Sequence, residues 1–255
     1  MRFSKWHALG NSYLVVERSD AGELTADRVR RLCDVRRGIG ADGVLEVVEA
    51  STTSADVVIW NPDGSTAEMS GNGTRIAARW LASRSDALDV VVRVGRREIR
   101  AHMIDEVDVE TDVGPVEVGT PETIDVDGNA VELTFVSLGN PHAVVHSEEP
   151  TRELLLRLGP LIETHVRFPE RTNVQLVRPE STHELRALIW ERGAGETAAS
   201  GSSAVAVASA AVAAGWCVSP VTVHMPGGDL TVRVDGALAL LVGPTELICS
   251  GETDL

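Results

Sequence analysis

Residues 59–82, IWNPDGSTAEMSGNGTRIAARWLA, and residues 189–212, IWERGAGETAASGSSAVAVASAAV, are two versions of one segment. They align without a gap at a constant offset of 130, with Ile59 on Ile189, Trp60 on Trp190, Ser70 on Ser200, Gly71 on Gly201 and Ala78 on Ala208. Upstream, Leu9-Gly10-Asn11 with Val15-Val16 returns as Leu138-Gly139-Asn140 with Val144-Val145, at nearly the same offset. Two matches that share an offset point to an internal duplication. Two copies are too few for a solenoid and suit a pair of similar domains. The expected halves are residues 1–116 plus 245–255, and residues 117–244. Matching loops that meet across such a seam would set Ser70 and Ser200 on opposite walls of one cleft.

Short alternating runs dominate the rest of the chain. Tyr13–Glu17, Val44–Val48, Val57–Trp60, Val90–Val94 and Val107–Thr111 read as strands in the first half. Ala143–His146, Val174–Val177, Ala187–Trp190, Val221–His224 and Leu230–Val234 do so in the second. Each is bounded by Gly, Pro, Asn or Asp. Helical periodicity is confined to Ala26–Cys33, Gly73–Ser83, Arg152–Ile162 and Ser203–Ala214. The fold class implied is α+β: two pseudo-symmetric domains, each a curved, mostly antiparallel sheet around a central helix, with the active site in the cleft. The Ala-rich 203–214 segment suits an enclosed helix that wide side chains would not fit.

Composition excludes several function classes. A net charge of −15 argues against nucleic acid or an anionic membrane as partner, since both require clustered cations. Lys5 is the only lysine; pyridoxal chemistry needs a lysine for its Schiff base, so no such cofactor is expected. Cys33, Cys217 and Cys249 have no paired spacing, and buried inert thiols in a reducing compartment are expected. The start MRFSKWHALGNS has no charged segment followed by an apolar run, and the most apolar stretch, 204–214, is too short for a membrane span. A cytoplasmic enzyme is the expectation. His142 and His146 have helical metal-ligand spacing but sit in a strand-like run, about 13 Å apart, so no metal is expected.

Ser70-Gly71-Asn72-Gly73 and Ser200-Gly201-Ser202-Ser203 each follow a polar loop and open a helix. Free backbone N–H groups at such a terminus, together with the helix dipole, favour an anion, and glycine lets the backbone approach it closely. Each serine alone reads as a helix N-cap. Twinned across a duplication, the pair reads better as a grip on one carboxylate.

At these motifs the chain resembles the diaminopimelate epimerases, pyridoxal-independent enzymes that invert one α-carbon of a bis-amino acid. HALGNSYLVVE (7–17) is similar to the family opening H-x-L-G-N-D-F. RRGIGADGVL (36–45) resembles its G-I-G-A-D segment, and NPDGSTAEMSGNGTR (61–75) its N-x-D-G-S-x-x-x-x-C-G-N-G-x-R. GNPHAVV (139–145), TNVQLV (172–177) and ERGAGETAASGSSA (191–204) complete the set. The resemblance spans essentially the whole chain. It implies an epimerase of LL- and meso-diaminopimelate in the lysine and peptidoglycan precursor pathway. It also implies His142 and Glu191 as supporting acid–base groups. Asn11, Asn61, Asn140, Asn173 and Arg192 would hold the distal amino-carboxylate, and the backbones of Gly71, Asn72, Gly201 and Ser202 the near carboxylate. A homodimer is compatible with it.

The departures fall at the centre. The family uses one cysteine from each half, a thiolate and a thiol on opposite faces of the α-carbon; here both positions are serine, Ser70 and Ser200. Gly43 stands where the family often has glutamine, and Ser203 where it has glycine. An alcohol is a far weaker acid than a thiol, and one helix terminus, worth about 0.3–2 kcal/mol, does not close the gap. His142 and Glu191 are then the groups expected to activate the two hydroxyls. Two alternatives stand beside the epimerase: a same-fold isomerase or dehydratase with altered chemistry, and a catalytically impaired protein that binds the diacid.

Overall fold

A computed structural model describes all 255 residues. In chain order the elements are β1 (Arg2–Ala8), β2 (Asn11–Glu17), α1 (Arg18–Ala21), α2 (Ala26–Cys33), β3 (Val44–Ala50), β4 (Ser54–Trp60), β5 (Thr66–Ala67), α3 (Gly71–Ser85), β6 (Asp89–Val94), β7 (Arg97–Met103) and β8 (Asp108–Pro115). They continue as β9 (Glu117–Val126), β10 (Asn129–Ser137), β11 (Pro141–His146), α4 (Arg152–Glu163), β12 (Asn173–Ser181), β13 (Glu184–Glu191), β14 (Gly195–Thr197), α5 (Gly201–Ala213), β15 (Val221–Met225), β16 (Gly228–Asp235), β17 (Leu238–Pro244) and β18 (Glu246–Glu252). Two compact units result. One is Met1–Asp112 with Val242–Leu255, and the other is Val113–Leu241.

The strand pairings repeat. In the first unit β18 pairs antiparallel with β1, and β1 antiparallel with β2. From β2 the order runs parallel to β3, antiparallel to β4, parallel to β6 and antiparallel to β7. In the second unit β9 pairs antiparallel with β10, β10 antiparallel with β11, β11 parallel with β12 and β12 antiparallel with β13. The order ends with β13 parallel to β15 and β15 antiparallel to β16. The sequence repeat is therefore a repeat of topology, and the α+β class follows in both units.

Each unit wraps its sheet around one helix. In the first, Ile76, Ala77, Ala78, Trp80 and Leu81 of α3 join Tyr13, Val15, Leu45, Val47, Val57 and Val92 in one apolar core. The opposite sheet face, with Leu14, Val16 and Val44, packs on Val29, Leu32 and Cys33 of α2. This explains why Tyr13-Leu14-Val15-Val16 is a continuous apolar run: the strand is covered on both sides. Each fully buried Leu or Ile contributes about 1.5–3 kcal/mol. In the second unit α5 is buried along nearly its whole length and packs against β10, β11, β12, β13, β15 and β16. Its alanines admit that close enclosure.

The paired tryptophans are tied alike. Trp60 donates its indole N–H to Glu46 at 2.9 Å, and Trp190 donates to Glu163 at 2.7 Å. Cys33 and Cys217 are buried, as expected of inert thiols, but Cys249 on β18 is exposed. That strand presents most of its residues to solvent, which the sequence pattern did not reveal. No helix is long and apolar enough to cross a membrane.

Candidate active site

Ser70 is the N-cap of α3, in extended backbone at φ −145° and ψ 116°, and its Oγ accepts from the Gly73 N–H at 3.0 Å. The phenol oxygen of Tyr13 lies 3.1 Å from the same Oγ. Gly71 and Asn72 form the first turn, whose N–H groups have no partner within the helix. The Asn72 amide donates to Asn11 Oδ1 at 3.3 Å. Beneath them sits Arg75, a fully buried guanidinium that donates to the Gly71 carbonyl at 3.1 Å and to Asn72 Oδ1 at 2.7 Å. Burial pulls its pKa down to about 10 against the field of Asp108, so it stays charged. A helix N-terminus without a first-turn acid, backed by a buried cation, favours an anion at Ser70. Asn61 is held in its own turn instead, its amide donating to Ser65 Oγ at 3.0 Å.

The second unit repeats the plan with other partners. Ser200 is the N-cap of α5 at φ −148° and ψ 125°, and its Oγ lies 3.5 Å from both the Ser203 N–H and Ser202 Oγ. Glu191, at the end of β13, has its carboxyl pushed up by burial; the hydroxyls of Ser200 and Thr197 act in the opposite sense. His142 is 0% exposed. Burial, with the Arg192 charge adding to it, drives the imidazole down to about 3, so the ring is neutral near pH 7. Its Nδ1 is 3.0 Å from Gln175 Nε2, which also donates to Ser203 Oγ at 3.0 Å, while Nε2 is buried without a partner. A titrating histidine near neutrality was expected; desolvation overrides its ordinary pKa.

Asn173 pairs with His142 across the parallel β11–β12 ladder. Its amide donates to the Pro141 carbonyl at 2.9 Å, and its Oδ1 accepts the Arg192 N–H at 3.0 Å. One asparagine thus ties the His142 strand to the Glu191–Arg192 turn. Arg192 is exposed and donates to the Glu170 carbonyl at 3.1 Å. Asn140 closes the Leu138–Asn140 turn through its carbonyl, at 3.2 Å. Ser200, Glu191, Ser202 and Gly201 therefore share one locus, with Arg192 on the adjoining turn and Asn173, at the start of β12, bonded to it. Sequence reasoning passed over Tyr13, Gln175 and Glu163. The signal for Tyr13 was its place two residues after Leu-Gly-Asn, matching His142.

The diaminopimelate epimerase family model matches residues 3–119 and 134–246. The chain belongs to the diaminopimelate epimerase family. Curated diaminopimelate epimerases from Alkalilimnicola ehrlichii (34% identical, 100% of this chain and 99% of the relative) and Pelotomaculum thermopropionicum (35%, 99% and 98%) are similar throughout. Among solved structures, a hydroxyproline epimerase from Agrobacterium vitis with bound trans-4-hydroxy-L-proline shares the fold. Its TM-score is 0.72 at 16% identity, over 98% of this chain and 90% of that one. In this diaminopimelate epimerase family member the two N-cap positions carry hydroxyls.

Proposed function

We propose that the protein is a pyridoxal-independent epimerase interconverting LL- and meso-diaminopimelate by proton removal and return at the α-carbon. The observation that carries this is the family match along both halves of a duplicated chain, with Ser70 and Ser200 capping equivalent helices. Epimerisation needs one acid–base group on each face of a carbon, and the two serines are assigned that role. Glu191 and His142 support them. Asn11, Asn61, Asn140, Asn173 and Arg192 are assigned to the distal amino-carboxylate; guanidinium grips a carboxylate with two parallel hydrogen bonds. Gly71, Asn72, Gly201 and Ser202 are assigned to the near carboxylate. The three free thiols suit the cytoplasm, and a homodimer is the assembly to test by light scattering.

Hydroxyl chemistry demands more help than thiol chemistry. A thiol titrates near 8.5, whereas an alcohol lies many units higher, and each unit is worth about 1.4 kcal/mol. A helix terminus offers about 0.3–2 kcal/mol, and a hydrogen bond to a charged group about 1.5–3. Together these fall well short of the gap. A serine base therefore has to pass its proton on as it forms. Glu191, raised by burial and interacting with Ser200, is suited to receive it.

The test is direct. In D2O with LL- or meso-diaminopimelate, the protein should exchange the α-hydrogen and drive both epimers to one ratio. Ser70→Cys with Ser200→Cys should raise the rate. No activity in that double variant would defeat the substrate assignment.

A further inference from the structure

Two residues after each Leu-Gly-Asn turn the chain places a polar ring, Tyr13 in the first unit and His142 in the second. The two strands have matching surroundings. β2 lies between β1 and a parallel β3, and β11 between β10 and a parallel β12. Leu14 pairs with Val44 as Ala143 pairs with Val174. Tyr13 is only 6% exposed, yet its phenol oxygen comes within 3.1 Å of Ser70 Oγ. On its other side the same Oγ accepts the Gly73 N–H at 3.0 Å.

Room for the ring is built into the chain. A Cβ at Gly43 would lie 2.5 Å from Tyr13 Cε1 and 2.6 Å from the Trp60 carbonyl oxygen. The backbone at Gly43 does not require glycine through a positive φ, so the missing side chain answers to the ring and the carbonyl. Three departures from the family motifs thus meet at one point: a hydroxyl on the ring, a glycine beside it, and a serine facing it.

We propose that Tyr13 is the proton partner of Ser70, resupplying the proton that Ser70 gives to the substrate α-carbon and taking Ser70's proton when the serine accepts one. This rests on the epimerase reading above. In the delivering direction the Ser70 O–H bond breaks as the α-carbon C–H bond forms. The Tyr13 O–H then breaks as a new Ser70 O–H forms. The carbanion's charge ends on the phenolate, serine is regenerated, and no oxidant or reductant is consumed. The reverse sequence removes the proton. A phenol titrates near 10 and an alcohol well above it, so the charge rests on the far better anion. A thiol at the Ser70 position would need no such partner.

Wild type, Tyr13→Phe, Ser70→Cys and the combined variant are compared with both epimers of diaminopimelate, by α-hydrogen exchange and steady-state kinetics. Tyr13→Phe, which keeps the ring, should lower kcat at least about 100-fold and move KM less than about threefold. With cysteine at position 70 its cost should fall below about threefold. Gly43→Ala, which displaces the ring, should lower kcat in wild type and add nothing to Tyr13→Phe. Equal losses in the serine and cysteine backgrounds, no loss at all, or additive losses with Gly43→Ala would overturn the proposal. If only Ser70→Cys with Ser200→Cys turns over, the proposal falls and the substrate assignment stands. If that variant is silent too, the assignment falls and takes the proposal with it.

Discussion

The two groups assigned to support the serines are shifted by burial in opposite directions. His142, driven to about 3 by burial and the Arg192 charge, is neutral throughout and serves as a hydrogen-bonding ring. Glu191 is raised from the ordinary carboxylate range by burial, against the pull of the Ser200 and Thr197 hydroxyls. For Ser200 to act as a base, Glu191 must be ionised. The rate should therefore fall as pH drops through that raised pKa. Glu191→Gln should cost about 10²–10³ in kcat and flatten the acid limb. His142→Asn should slow the reaction but leave the limb where it was; a kcat–pH profile from about pH 4 to 9 checks both. A limb displaced in His142→Asn would return the titrating role to the histidine. Ser70, Ser200 and their glycines were legible because twin motifs sit at one offset, and Glu191 because it lies in a motif. The state of His142 was not, since it depends on burial against Gln175, 33 residues away. Nor was the meeting of Tyr13 and Ser70, 57 residues apart. Short motifs report residue types, whereas protonation states and cross-chain contacts arise only once strands are packed.

At the scale of elements, the α4 end sets the turn that carries Glu191 and Arg192. Glu163 accepts the Trp190 indole N–H at 2.7 Å and the Gly193 N–H at 2.9 Å. Burial would raise its pKa, but these bonds and Arg171 outweigh it and hold the carboxyl low. One turn earlier, Gly159 faces the same indole: a Cβ there would lie 2.7 Å from Trp190 Cγ and 3.0 Å from its Cβ. Alanine favours a helix over glycine by about 1 kcal/mol, while overpacking a tight contact costs about 1–3. Gly159→Ala should therefore lower Tm by a few degrees. It should also raise KM more than it lowers kcat, because the turn moves with the indole. Melting curves and steady-state kinetics check this, and an unchanged KM would free the turn from α4. Elements with strong periodicity were readable: Ala26–Cys33 is α2 to the residue, and Arg152–Ile162 is α4 but for its last residue. The Gly73–Ser83 segment lengthened at both ends into α3. β1, β5, β7, β9, β10, β14, β17 and β18 lay outside the expected strands. EVGTPETIDV of β9 carries no clean alternation and owes its place to pairing with β10, whereas residues 131–135 of β10 alternate and were passed over.

The two halves share a topology but complete it differently. In the second unit the strand flanking β10 is β9, joined to it by the short turn after Val126. In the first, the strand flanking β1 is β18, supplied from the far end of the chain, paired from Arg2 opposite Glu252 to His7 opposite Glu246 with a one-residue shift between Lys5 and Trp6. The N-terminal ammonium donates to the Thr253 carbonyl at 2.7 Å, and Arg28 grips the Leu255 carbonyl at 2.9 and 3.1 Å. A hairpin closes at little entropic cost, whereas a long loop pays a term that grows with the logarithm of its length. The same structural position is thus local in one unit and the most remote pairing in the other. Removing 246–255 should strip β1 of a full ladder and lower Tm by more than about 5 °C. Hydrogen exchange should localise the loss, with β1 amides losing at least about tenfold protection while those of the β9–β10 hairpin keep theirs. β1 amides as protected as in the full chain would mean that β2 and the α3 core hold the strand unaided. The closing strand would then be an ornament of the fold. The opposite outcome would make the first unit dependent on β18, because the β1 edge is unpaired without it.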